Sequence, residues 1–288
     1  MKESLNNEER RSDRADLEDL ICSAIAGDLE SIESLVRSLQ DEIYRLALRM
    51  TGNREDAEDS TQEILIRIVT RLAQFEFRSS LRTWVFRIAV NYILDLKRSR
   101  IERLNFSFEQ MGMGLAEGLG PVAPADTDHL LLVEEVRIGC SLGMLQCLDR
   151  PHRLAFVLGE IFEMTGPEAG EVLGISPSLF RKRLQLARSA MLAFTQRHCG
   201  LVADTAACSC NRQVPAALQS GRIRTNAVDF ANKPASFLDA RTVVRKVDEA
   251  RRAFALHRAA QPRASSIDFA RQLVERLDLI QSQMEKNR

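Results

Sequence analysis

Ser178, Arg181, Lys182, Gln185 and Arg188 recur at helical spacing within residues 165–188, TGPEAGEVLGISPSLFRKRLQLAR, and form a ladder of hydrogen-bond donors. Guanidinium and ammonium groups of this kind reach phosphates, and the Arg and Gln heads can also read base edges. The local signals fit a helix that starts just before them. Ser176 supplies an N-cap, and Pro177 takes the first helical position, where a missing N–H costs little. Leu179, Phe180, Leu184 and Ala187 fall on the opposite side and are expected to pack. With Gly174-Ile175-Ser176 as the joint to a shorter preceding helix, the segment reads as a DNA-reading helix-turn-helix. The competing reading is a surface helix pair of an ordinary bundle.

A second set of chemistry-bearing residues lies upstream, between Asp56 and Arg100. Asp56, Glu58, Asp59, Gln62 and Glu63 fall within about two helical turns, beside an apolar stripe of Ile64, Leu65, Ile68 and Val69. Such a helix packs on one side and offers carboxylates to a basic partner on the other. The alternative is a solvated helix start favoured by the helix dipole. After it, FEFRSSLRTWVFRIAVNYILDLKRSR interleaves Arg78, Arg82, Arg87, Lys97, Arg98 and Arg100 with Phe75, Phe77, Trp84, Phe86 and Tyr92. Cations beside stackable rings suit single-stranded or melting nucleic acid, although aromatics at helical spacing are also core residues, and Trp84 is predicted to be at least half buried. Asn91 can donate and accept at once, which fits a base reader or a structural hydrogen bond.

The elements that must position these groups are helices, and few segments alternate like strands. Between the two sets, Met111 to Asp126 carries Gly112, Gly114, Gly118, Gly120, Pro121 and Pro124, and is expected to be a flexible tether. After His198 come roughly ninety residues beginning HCGLVADTAACSCNRQ. His198 with Cys199, Cys208 and Cys210 in a C-x8-C-x-C arrangement can be read as a zinc site, a thiol redox switch or inert structural cysteines. Cys22, Cys140 and Cys147 lie on apolar helical faces and are expected to be buried small hydrophobes. Two amphipathic helices are predicted beyond these, about 236–259 and 265–285, separated by Gln261-Pro262.

Forty basic residues balance forty acidic ones. A neutral chain with basic patches avoids firm binding to DNA on its own, since nonspecific affinity follows phosphate neutralisation. No apolar run approaches a membrane span, and the N-terminus has no hydrophobic signal region, so a cytoplasmic protein is expected. With four histidines, no phosphate-cradling glycine loop and no nucleophile-base motif, the sequence does not point to an enzyme.

The order of an acidic DAED..QE helix, the FEFRSSLRTWVFRIAVN segment, a Gly/Pro linker and a helix-turn-helix resembles the bacterial extracytoplasmic-function RNA polymerase sigma factors, over residues 16 to about 197. The resemblance implies an all-α fold: two helical sigma domains joined by a flexible linker, the second with the helix-turn-helix, plus a helical C-terminal extension. It divides the chain into a disordered N-terminus (1–15), a region 2 domain (16–103), a linker (104–127), a region 4 domain (128–197) and the Cys-containing extension (198–288). It implies a protein that binds core RNA polymerase and directs promoter recognition in a stress or environmental response. Region 2 would dock on the β′ clamp helices through Asp56, Glu58, Asp59, Gln62 and Glu63. It would melt the minus-ten element through Arg78, Ser79, Arg82, Trp84, Arg87, Asn91 and Arg98, with a flipped base held by the loop Phe77 to Ser80. Region 4 would sit on the β flap and read the minus-thirty-five element with Ser178, Arg181, Lys182, Gln185 and Arg188. The chain departs from the family pattern at Leu186, where an Arg is common, and at Gly166 and Ala169-Gly170, so no minus-thirty-five sequence is derived. No cofactor is required, zinc at the C-terminal cysteines apart. Regulation falls either to a separate anti-sigma protein or to the extension acting in cis. A helix-turn-helix regulator outside the polymerase, or a metal- or redox-sensing interaction protein, remains the alternative.

Overall fold

The computed structural model describes residues 15–96, 106–121 and 126–286, and it is all-α, with an isolated bridge between Arg224 and Ala227. The first unit comprises α1 (15–25), α2 (Leu29–Thr51), α3 (Arg54–Thr70) and α4 (Leu81–Asp95). Each later start has a side-chain cap on an orphan N–H: Asp28 on Ser31, Asn53 on Asp56 and Ser80 on Thr83. Gly52 closes α2 with φ 69°, and a Cβ there would come within 2.9 Å of the Gln146 side chain, so the turn needs glycine twice over. Leu35, Val36, Ile43, Ile64, Leu65, Trp84 and Phe86 fill the space between these helices.

The helix-turn-helix unit follows as α6 (Thr127–Gln146), α7 (Arg150–Phe156), a π turn (Val157–Ile161), α8 (Gly166–Leu173) and α9 (Pro177–His198). The segment expected to be a tether is instead partly a helix, α5 (Phe108–Glu117). Ser107 and Gln110 form a reciprocal capping box, at 3.2 and 3.0 Å, and Met111 and Leu115 are buried. Phe108 meets Phe194 of α9 with ring centroids 5.1 Å apart. Gly112 does not loosen this helix but allows its backbone to approach: a Cβ there would lie 2.8 Å from the His198 imidazole.

The extension also differs from expectation. It holds α10 (Cys210–Gln219), α11 (Phe237–Val244), α12 (Glu249–Ala259) and α13 (Phe269–Lys286). The predicted helix over 236–259 is split at Arg245–Asp248, where the Thr242-Val243-Val244 run ends α11 with poor helix formers. Pro262 stands in the break before α13, as the sequence indicates. The expected disordered stretch 1–15 lies almost wholly outside the described residues.

The units are not separate bodies. α4 packs on α8, α2 on α6, α10 on α6, α12 on α9 and the π turn, and α13 along α2 and α3. Arg153, 2 % exposed, donates to the carbonyls of Leu145 and Leu148 at 2.9 Å and to Met50 at 2.5 Å, stitching the α6–α7 turn to the end of α2. Arg150 reaches the Leu96 carbonyl at 2.8 Å at the end of α4.

Candidate nucleic-acid interface

The loop between the 3-10 turn Leu72–Gln74 and α4 makes a hollow of roughly 430 Å³, walled by Leu17 and Ile21 of α1 and by Phe75 and Phe77 to Leu81. Phe77 holds φ 56°, a left-handed conformation that an aromatic residue adopts only when its surroundings impose it, and the residue stays 40 % exposed. It leans on Phe75 at 4.7 Å, and Phe75 in turn meets Trp84 at 5.4 Å. A strained ring at the rim of a hollow is suited to stack on a base taken out of its helix. Arg78 projects from the rim with its side chain 84 % exposed, close to Glu76 at 2.9 Å. Ser79 is half-buried beside it.

Along α4, Arg82, Arg87 and Asn91 are exposed, as the pattern predicts. Trp84 corrects the list of DNA contacts: at 8 % exposure it is a core residue, behind the loop rather than at its surface. Arg98 lies outside the described residues. Arg82 is engaged within the molecule, donating to Glu42 at 2.6 Å and to the Phe162 carbonyl at 3.2 Å, with its guanidinium over the Phe86 ring. Arg87 stands 4.0 Å from Glu171 of α8. The face of α4 expected to meet DNA is thus partly covered by the first helix of the helix-turn-helix.

That motif forms as the local signals dictate. Thr165 and Glu168 close a capping box at the start of α8, and Gly174 (φ 63°) ends it. Ser176 accepts from Leu179 N at 3.2 Å at the start of α9. Gly170, a departure from the family pattern, has a physical reason: a Cβ there would sit 2.9 Å from the Ile175 carbonyl, inside the turn. Phe180, Leu184 and Ala187 are buried, while Ser178, Arg181, Lys182 and Gln185 are exposed. None of the described residues pairs with Arg181 or Lys182. Leu179, expected to pack, is 40 % exposed, because it lies at the edge of the buried stripe.

Arg188, expected to contact DNA, is engaged within the molecule. It reaches back to the carboxylate of Glu160, whose side chain is 2 % exposed, and lies over the Phe254 ring of α12 at 5.7 Å. Arg258 of α12 binds the same carboxylate at 2.8 Å, so Arg188 belongs to a three-residue junction of α9, the π turn and the extension.

On α3, Asp56 and Asp59 are exposed and Glu63 pairs with Arg67 at 2.8 Å. Glu58 binds Arg54 at 3.0 Å and accepts from Ser265 at 2.7 Å. With its amide oxygen turned outward, Gln62 accepts from Arg276 of α13 at 2.8 Å. Two of the five residues assigned to polymerase docking are therefore occupied by the extension.

The cysteines assemble differently from the predicted set. Cys199, Cys208 and Cys210 share one cavity wall with Cys140 of α6, and Gly200 N donates to Cys208 O at 2.9 Å to hold the loop on itself. His198 lines the same cavity, with its ring against Phe194, 4.9 Å away, and beside Gly112. Among the described residues no group of three or more His, Cys, Asp or Glu side chains is arranged to hold a metal ion, so His198, Cys199, Cys208 and Cys210 are not brought into a ligand set. Burial, with neighbouring thiols adding to it, pushes Cys208 up to about 11 and lifts Cys140 and Cys210 well above the ordinary thiol range. Cys22, expected to be buried, is exposed near the end of α1. Sequence reasoning missed Cys140 as a neighbour of this group, since only tertiary contact relates it to the others.

Comparison with known proteins follows the same outline. Residues 35–101 match the family model described as sigma-70 region 2. The chain is 30% identical over 179 residues to the ECF RNA polymerase sigma factor SigE of Mycolicibacterium smegmatis, covering 62% of this chain and 66% of that protein. It is 30% identical over 171 residues to the ECF RNA polymerase sigma factor SigW of Bacillus subtilis, covering 57% of this chain and 89% of SigW. The solved structure of CnrH in complex with the cytosolic domain of CnrY aligns with 62% of this chain and 95% of that chain, at a TM-score of 0.45 and 23% identity.

Proposed function

The chain belongs to the extracytoplasmic-function RNA polymerase sigma factors, which direct promoter recognition and transcription initiation, and from that premise we propose how its parts divide the work. The α1–α4 unit opens the minus-ten element. Phe77, Arg78 and Ser79 line the hollow that takes a flipped base, and Arg82, Arg87 and Asn91 follow the strand. The α6–α9 unit reads the minus-thirty-five element in the major groove with Ser178, Arg181, Lys182 and Gln185. Asp56, Glu58, Asp59, Gln62 and Glu63 meet the β′ clamp helices of core polymerase, and the second unit meets the β flap. The protein acts where the polymerase is, in the cytoplasm; among the described residues no helix is long and apolar enough to cross a membrane.

The observation that carries the reading of this particular chain is the overlap of working surfaces with internal contacts. Ser265 and Arg276 occupy Glu58 and Gln62, Arg82 is bound to Glu42 and the Phe162 carbonyl, and Arg87 stands 4.0 Å from Glu171 of α8. The extension therefore acts in cis, holding a closed form in which two of the five polymerase-docking residues are occupied, while the helix-turn-helix unit partly covers the α4 face. Promoter use requires the two units to part.

The test is transcription and core-polymerase binding by the full chain, by a chain ending at Ala264, and by the full-length variant Arg276→Glu. Release of α13 is expected to tighten polymerase binding and raise specific transcripts several-fold in both altered forms. Unchanged binding and output would remove the masking role. Folded protein without promoter-specific transcripts in any form would overturn the assignment of the two DNA-reading faces.

A further inference from the structure

Two large apolar side chains stand in water on α9, among the donors assigned to DNA. Leu186 is 52 % exposed and Leu179 is 40 % exposed. They lie two helical turns apart and so share one stripe. Counting about 100° per residue, Leu186 stands about 50° from the line opposite the buried Phe180, Leu184, Ala187 and Met191, whereas Arg181 stands about 90° from it. Leu186 therefore faces away from the core more squarely than Arg181 does. Lys182 falls between the two leucines and Gln185 beside the second, and both are exposed.

Charge decides what covers this stripe. Arg181 and Lys182 have no partner among the described residues, so an apolar protein groove seated here would bury two cations without counter-charge. The major groove offers the matching surface: phosphates along its rims and, on its floor, one apolar group, the C5 methyl of thymine. Opposite a leucine, the amino group of cytosine or the O6 of guanine loses water and gains no partner, whereas a thymine methyl gains by losing it.

We infer that Leu186, with Leu179 on the same stripe, reads thymine through its C5 methyl group, so that the minus-thirty-five element used by this protein carries thymine opposite the stripe. The inference rests on the assignment of α9 to the major groove made above. Arg181 and Lys182 fix the register, and the leucine selects the base.

The probe is a duplex from a genomic fragment that the holoenzyme of core polymerase and the full chain transcribes, prepared with thymidine or with deoxyuridine through its minus-thirty-five element. Uracil keeps the pairing and the O4 of thymine and lacks only the methyl. Holoenzyme binding is expected to fall about fourfold on loss of a contacted methyl, the worth of one buried carbon. Leu186→Ala places a better helix former at an exposed position and should leave the fold intact. Its holoenzyme is expected to bind the two duplexes alike, at the level of the native chain on deoxyuridine, which makes the pair a double-mutant cycle. An element without thymine, equal binding of both duplexes by the native chain, or an undiminished methyl effect in Leu186→Ala overturns the leucine reading. So does a loss of binding to core polymerase in the absence of DNA, which would seat Leu186 on the polymerase. Arg181→Ala separates the two levels: if it weakens binding where the methyl has no effect, α9 still reads the groove and the leucine does not. If neither matters, the assignment of α9 falls as well.

Discussion

Acid should loosen this protein through one histidine of the extension. His257 of α12 is fully buried, with Nδ1 2.7 Å from the Ser141 hydroxyl of α6 and its ring edge-on to Phe156 of α7 at 5.2 Å. Its Nε2 has no partner, and the charge that faces it is the Arg49 guanidinium of α2. Burial, with Arg49 adding to it, holds its pKa down from 6.5 to about 3. The unfolded chain takes up the proton as pH falls through about 6.5, while the folded chain refuses it until about 3. Across that window the unfolded state binds the extra proton, so stability is full above pH 6.5 and declines below it. At about pH 5 the protonated form outweighs the neutral one roughly thirtyfold in the unfolded chain, which amounts to a loss of about 2 kcal/mol, rising to about 3 kcal/mol near pH 4. The assay is urea unfolding from about pH 8 to pH 5, comparing the native chain with the double variant Ser141→Ala/His257→Leu, which removes the titrating ring and the hydroxyl it satisfies. Other groups titrate alike in both and cancel in the difference. The gap between the two stability curves should close by about 2 kcal/mol towards pH 5. A gap constant to within about 0.5 kcal/mol, or an imidazole resonance titrating near its ordinary value, would refute the reasoning.

Arg181→Ala and Lys182→Ala should each weaken binding to promoter fragments, by about 1–3 kcal/mol where a base edge is read, with melting temperature unchanged. Arg188→Ala should do the opposite, lowering stability by about 1–2 kcal/mol because Glu160 stays buried with Arg258 as its remaining cation. Trp84→Ala should cost about 3–5 kcal/mol in urea unfolding. Phe77→Gly, which relieves the positive φ, should stay within about 1 kcal/mol of the native chain yet fail to open promoter DNA in a permanganate footprint. Gly112→Leu should destabilise by about 1–3 kcal/mol, since its side chain would meet His198; a free tether would tolerate it.

What could be read from the sequence was whatever short-range chemistry controls. Ser176-Pro177 and Gly174 define the helix-turn-helix without outside help, and the Phe77 to Ser80 loop is marked by its own residues. The linker misled because its glycines outweighed a competing signal: Ser107 with Gln110 is a capping box, and Phe108, Met111 and Leu115 fall on one helical face. The remainder required contacts across long stretches of chain. Nothing near Arg188 announces Glu160, and nothing near Glu58 or Gln62 announces Ser265 and Arg276. Cys140 reads as a buried small hydrophobe on its own helix; it is half-buried there, and joins Cys199, Cys208 and Cys210 only after α6 and α10 have packed.

The stitching between the two units relies heavily on side-chain donors that end on main-chain carbonyls: Arg82 on Phe162, Gln146 on Arg49, and Arg150 and Arg153 on Leu96 and Met50. Such bonds to neutral oxygens inside the protein are little screened by mobile ions, whereas contacts to phosphates weaken steeply as salt rises. Ionic strength therefore acts more strongly on the promoter side of the competition than on self-packing, where only exposed pairs such as Arg87–Glu171 are screened. Raised salt is therefore expected to favour the closed form over the DNA-bound one, read as fewer specific transcripts from an equal amount of protein.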